Sequence, residues 1–85
     1  MAKTIRSEGH AALIEALRHA RLAAGLTQTD LADRLQCHQS LVARIESGER
    51  RVDVVELIVL ARAIGVSTAS VLKMVEKKVS KGHRI

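Results

Sequence analysis

Apolar residues recur along the chain at spacings of three and four, and four times a capping residue interrupts them in the same way. An apolar residue stands just before the cap and another lies four positions inside, which is the hydrophobic staple of a helix start. Thr27 stands so between Leu26 and Leu31, with Asp30 making a weak capping box. His38, a poorer cap, stands between Cys37 and Val42. Asp53 stands between Val52 and Leu57 with Glu56 completing a box, and Ser67 is stapled by Val66 and Val71. These four starts open helices 2 to 5, the last continuing to about Lys78.

Helix ends are marked by Gly25, Gly48 and Gly65, each placed where a left-handed residue closes a helix and only glycine adopts it without strain. Helix 1 then spans roughly 9 to 24, burying Leu13, Ile14, Leu17 and Ala20 or Ala24 and turning Glu15, Arg18 and His19 outward. Helix 2 buries Leu31, Ala32 and Leu35. Helix 4, VVELIVLARAIG, is apolar nearly all round, which predicts a central helix enclosed by the others. No stretch alternates long enough for a strand, and no repeat or linker divides the chain. The expected fold class is all-α, a compact five-helix bundle in a single domain over 1–85, with a core over about 9–78 and a basic C-terminal tail over 77–85.

Composition narrows the function. A chain of 85 residues hides only about 60 to 65% of its unfolded surface, enough for one modest core but not a deep catalytic cleft. With 47% apolar residues it is not disordered, and its apolar runs are far short of a membrane span. One cysteine forms no internal disulfide, and MAKTIRSEGH holds no apolar signal core, so a cytoplasmic location is expected. The net charge is +5, but residues 1–76 carry ten Lys or Arg against nine acids, and the rest of the excess is Lys77, Lys78, Lys81 and Arg84. A polyanionic partner fits this balance as well as a solvated terminus does.

The stretch 27–48, TQTDLADRLQCHQSLVARIESG, carries the chemistry. It reads as an eight-residue helix, a turn of about three residues and a second helix with Leu41, Val42 and Ile45 inward. The second helix turns Gln39, Ser40, Ala43, Arg44 and Ser47 outward. Such a face suits a DNA major groove, where small residues permit approach, Gln pairs with adenine and Arg with guanine. The chain has no Phe, Tyr or Trp on which single-stranded bases would stack, which favours duplex DNA.

LRHARLAAGLTQTDLADRL, QSLVARIESGERR and VELIVLARAIGVS, between about 14 and 72, together resemble the lambda-repressor-type, Xre-like helix-turn-helix family. The resemblance implies a recognition helix in the major groove and a homodimer on a two-fold operator. By position it implies base reading by Gln39, Ser40, Ala43 and Arg44, and phosphate contacts by Gln28, Ser47, Arg50 and Arg51. It also implies a structural ion pair between Arg21 and Glu46 that sets the angle of the recognition helix. Two positions depart from the family. Gln36 stands where Gly is usual, and a non-glycine residue in the left-handed region costs about 1 kcal/mol. His38 replaces the usual Ser or Thr cap.

Helix 5 has a wide apolar stripe, and Val71, Met74, Val75 and Val79 are the expected dimer interface. His10, His19, His38 and His83 show no helical pairing and have one cysteine to join them, so no metal site is expected. Cys37, at a staple position, reads as a small core hydrophobe. No nucleophile elbow, phosphate loop or HExxH spacing is present, so no enzyme, cofactor or small-molecule effector is expected. The expected function is a bacterial or phage DNA-binding transcription regulator, a repressor acting as a homodimer on an inverted-repeat operator. Two rivals fit the same core: an antitoxin that masks a toxin partner while autoregulating its operon, and a restriction-modification controller.

Overall fold

The computed structural model describes residues 7–84. Five helices follow one another: α1 (Glu8–Ala23), α2 (Gln28–Leu35), α3 (Gln39–Glu46), α4 (Val54–Ile64) and α5 (Thr68–Glu76). α1 starts where Ser7 Oγ accepts a hydrogen bond from the His10 backbone N–H at 3.1 Å, a cap absent from the periodicity reading. The Thr27 and Asp53 starts each form both arms of a capping box, with Asp30 and Glu56 reaching back to the cap N–H at 2.9 and 3.1 Å. His38 provides no side-chain cap, yet α3 begins at Gln39, because the staple residues Cys37 and Val42 pack inward.

With no aromatic side chain available, the core is aliphatic. Ile14 and Leu17 from α1, Leu31 and Ala32 from α2, Val42 and Ile45 from α3, Leu57, Leu60 and Ile64 from α4, and Val71 from α5 form one cluster. Val42 is its most enclosed member at 1% exposure. α1 packs against α3, α4 and α5, while α2 bridges α3 and α4.

Two expectations are corrected. α4 is not enclosed: Leu57, Leu60, Ala61 and Ile64 face the core, but Val54, Val55 and Val59 stand 72%, 69% and 47% exposed. α1, α2 and α5 pack on its inner face, and among the described residues no element lies over the other, so only the inner face is covered. α5 ends at Glu76 rather than near Lys78. Beyond it the chain turns, with the Val79 N–H donating to the Glu76 carbonyl at 3.2 Å. Val79 then lies on α1 at Gly9, where a Cβ would come within 2.9 Å of a Val79 methyl. Glycine at position 9 therefore permits this close approach.

Candidate nucleic-acid interface

The turn between α2 and α3 has Gln36 in the left-handed region, at φ 57° and ψ 46°. The Gln36 N–H donates to the Asp33 carbonyl at 3.2 Å and the Cys37 N–H to the Ala32 carbonyl at 3.0 Å, which satisfies two of the open carbonyls at the end of α2. After α3, Gly48 takes φ 84°, and the Arg44 carbonyl accepts from the backbone N–H groups of Glu49 and Arg50 at 3.0 and 3.2 Å. α3 is thus held at both ends, with Val42 and Ile45 in the core and Gln39, Ser40, Arg44 and Ser47 exposed. Ala43 is half-buried beside this face.

Arg21 and Glu46 meet in a bidentate pair: Nε donates to Oε2 at 2.6 Å and Nη2 to Oε1 at 2.9 Å. Their side chains are only 8% and 7% exposed. The remaining Arg21 Nη1 donates to the Leu26 carbonyl at 2.7 Å, so one guanidinium joins the end of α1, the loop after it and the recognition helix. Burial works against the charged Glu46 carboxylate, but hydrogen bonds from Arg21 and Gln28 outweigh it and hold the carboxyl below its usual range. The Glu46 hydrogen bond likewise holds the Arg21 guanidinium above its ordinary value, against its own desolvation.

The pair extends to the surface through two amides. Gln28 Nε2 donates to Glu46 Oε1 at 3.0 Å, and Gln39 Nε2 donates to Gln28 Oε1 at 2.7 Å. The direction of this relay follows from chemistry. An ionised carboxylate only accepts, so Gln28 must turn its NH2 toward Glu46 and its oxygen toward Gln39. Gln39 in turn must offer that oxygen its NH2. Its own oxygen and one remaining N–H are left for whatever meets the face of α3.

The other positions singled out from the sequence divide. Ser47 Oγ donates to the Arg44 carbonyl at 3.1 Å and to Glu49 Oε2 at 3.3 Å. Arg50 forms a 2.6 Å ion pair with Glu56 and donates to the Arg51 carbonyl at 3.3 Å, so it fastens the loop to the start of α4. Hydrogen bonding with Glu56 raises the Arg50 guanidinium and lowers the Glu56 carboxyl from their ordinary values. Arg51 is exposed on the same loop. At the start of α2 the Thr27 hydroxyl caps the Asp30 N–H, leaving those of Gln28 and Thr29 as the helix-start donors, although the Asp30 carboxylate offsets part of their anion affinity.

The four α5-side positions do not form one outward face. Val71 is buried at 3% exposure and Val75 is half-buried against the core, while Val79 touches Gly9 and is still 43% exposed. Met74 is exposed and borders a groove with Ala11, Ala12 and Lys78.

Three links were missed from sequence: the Arg21 bond to the Leu26 carbonyl, the Gln39–Gln28 bond and the Arg50–Glu56 pair. The two glutamines are eleven positions apart on different helices, a separation with no periodic signature. Glu56 had signalled itself as a capping-box residue, and its second partner lies across the loop. Among the described residues no three His, Cys, Asp or Glu side chains gather as a metal site, and no single helix is long and apolar enough to cross a membrane.

Residues 12–72 match the family described as a helix-turn-helix domain. The fold is similar to an XRE-family like protein from Pseudomonas syringae pv. tomato, at 41% identity and a TM-score of 0.81, covering 92% of this chain and 95% of that one. It is also similar to the clp gene regulator ClgR from C. glutamicum, at 28% identity and a TM-score of 0.73, covering 82% of this chain and 91% of that one. No match is found among curated proteins. With the family match spanning most of the chain around a paired α2–α3 unit, the protein belongs to the Xre-like helix-turn-helix family of DNA-binding transcription regulators.

Proposed function

We propose that this protein is a cytoplasmic transcriptional repressor that binds an inverted-repeat operator in duplex DNA as a homodimer, without a cofactor. The observation that carries this reading is the fixed amide of Gln39, whose outward oxygen and N–H match the adenine edge in the major groove, where N6–H donates and N7 accepts. Arg44, five residues further along α3, addresses guanine, and Ser40 and Ala43 are small enough to admit the bases.

Phosphates take the Gln28 end of α2, Ser47 and the loop arginines. Arg50 gives up its ion pair with Glu56 to reach DNA. Two copies related by a two-fold axis read half-sites about 34 Å apart, one turn of the duplex. A dimer covering two major-groove turns excludes polymerase from an overlapping promoter, which is how it represses. ClgR, a clp gene regulator, supports regulation as the output.

Selection of bound sequences from a random duplex library tests the reading. The expected product is a two-fold repeat with adenine at the position lost in Gln39→Ala, whose affinity for the selected site falls by about 1 to 3 kcal/mol while preference there relaxes. Equal loss on random duplex removes Gln39 from base reading. A reporter carrying the selected site in its promoter is expected to fall when the protein is expressed, and a rise reverses the sign of regulation.

A further inference from the structure

The loop after α3 runs into the first turn of α4, and side chains of both signs meet there. An open hollow at this junction is lined by Arg50, Arg51, Val52, Asp53 and Glu56. Within it the Glu56 carboxylate has two tasks. Its Oε1 accepts the Asp53 backbone N–H at 3.1 Å, which completes the cap of α4, and its Oε2 accepts Arg50 Nη2 at 2.6 Å. Asp53 accepts the Glu56 N–H at 2.7 Å, and its negative charge acts on the same guanidinium.

We propose that Glu56 is an affinity-setting residue, which competes with DNA phosphate for Arg50 and so keeps binding weaker than the loop arginines alone make it. The inference rests on the reading of Arg50 as a phosphate ligand given above. A phosphate and a carboxylate ask the same thing of a guanidinium, two N–H donors and a positive charge. The cap bond ties Glu56 to the helix start, so its carboxylate stays in place when Arg50 turns away. Its Oε2 then lacks a charged partner, and its negative charge remains beside the duplex backbone.

The scale and reach of the effect follow from this arrangement. The Arg50 and Glu56 side chains are 35% and 34% exposed, so water and salt screen the pair. Releasing Arg50 from it is worth about two- to fivefold in affinity, the range of an exposed ion pair. Phosphates carry no sequence, so every duplex gains alike and preference among bases stays with α3. The charge of Glu56 is also separable from its part in the fold, because a glutamine oxygen accepts the same cap N–H.

The test uses the full chain carrying Glu56→Gln, Arg50→Ala or both. Glu15→Gln, which removes the same charge beside the α1–α5 groove, serves as the control for net charge. Affinities are measured at several salt concentrations on the library-selected duplex and on a random duplex of equal length, with circular dichroism of each variant. Glu56→Gln is expected to keep its helix content and to tighten both duplexes by about two- to fivefold, with their ratio unchanged. Arg50→Ala weakens both and lowers the salt slope by about one unit. In the Arg50→Ala background Glu56→Gln gains no more than Glu15→Gln does. Unchanged or weaker binding in Glu56→Gln overturns the proposal, since Glu56 then braces Arg50 instead of competing for it. An equal gain with and without Arg50, or an equal gain in Glu15→Gln, overturns it as well, because bare charge then accounts for the effect. The wild-type Arg50 guanidinium is also followed by NMR, and a resonance that stays at its free position on saturation with duplex overturns the exchange without any substitution. None of these failures touches the operator reading. That reading fails instead if selection returns no preferred sequence, in which case the Arg50–Glu56 comparison is still read on random duplex.

Discussion

The carboxylate of Glu46 receives Arg21 and Gln28 at once, and through Gln28 it sets which atoms Gln39 shows to DNA. Glu46→Gln keeps the shape but removes the charge, leaving the Arg21 guanidinium buried without its counterion at a cost of about 3 kcal/mol. It also lets position 46 present either an oxygen or an NH2 to Gln28, so discrimination at the Gln39 base weakens although Gln39 is unchanged. Denaturant titration and binding to single-base operator variants check the two effects. The pH dependence has a definite sign. A carboxyl lowered in the folded state stabilises the fold above its unfolded value of about 4.3, and that contribution disappears as pH falls through the lower folded value. Acid unfolding followed below about pH 4.3 should therefore be shallower in Glu46→Gln than in wild type. Neither partner of the buried pair announces itself in the sequence: Arg21 and Glu46 are 25 positions apart, and only the family resemblance brought them together.

Helix boundaries were legible because caps and staples act locally. The Thr27, Asp53 and Ser67 starts and the glycine ends depend on residues within four positions of the cap or end itself, and the structure places them accordingly. The surroundings of α4 were not legible, since an all-round apolar helix is consistent both with enclosure and with one face left outside. Choosing between them requires knowing how far α2 and α5 reach. The fate of Val79 was hidden for a similar reason: the helical stripe was extended past Glu76, where the backbone had already turned toward Gly9. At the α2–α3 turn the chain holds a glutamine in the left-handed region, so Gln36→Gly relieves about 1 kcal/mol of strain. Thermal melts should show a rise in Tm, with operator affinity unchanged because the exposed Gln36 side chain makes no hydrogen bond to the reading residues.

The basic tail and the reading unit lie apart in the molecule. In the described part of the tail Lys77 and Lys78 precede, and Lys81 and Arg84 follow, the Val79 contact with Gly9 at the start of α1, whereas Arg21 and the reading unit lie at the other end of that helix. A rise of 1.5 Å per residue puts about 18 Å between positions 9 and 21, beyond one Debye length near physiological salt. Arg51→Ala should therefore reduce the slope of log affinity against log salt by about one unit, and neutralising Lys81 and Arg84 together by much less than two. Binding isotherms at several salt concentrations measure both. Equal slopes for the two variants would mean that the tail reaches the same duplex.

The amide chain running from Glu46 to Gln39 also limits how such a regulator can change its target. A descendant that exchanges Gln39 for another side chain leaves the Gln28 oxygen without its donor, and one that exchanges Gln28 leaves both neighbours unguided. New operator preferences at this base are therefore expected to arise through coordinated replacement of positions 28 and 39, so that paralogues sharing the Arg21–Glu46 pair inherit those two positions as a unit.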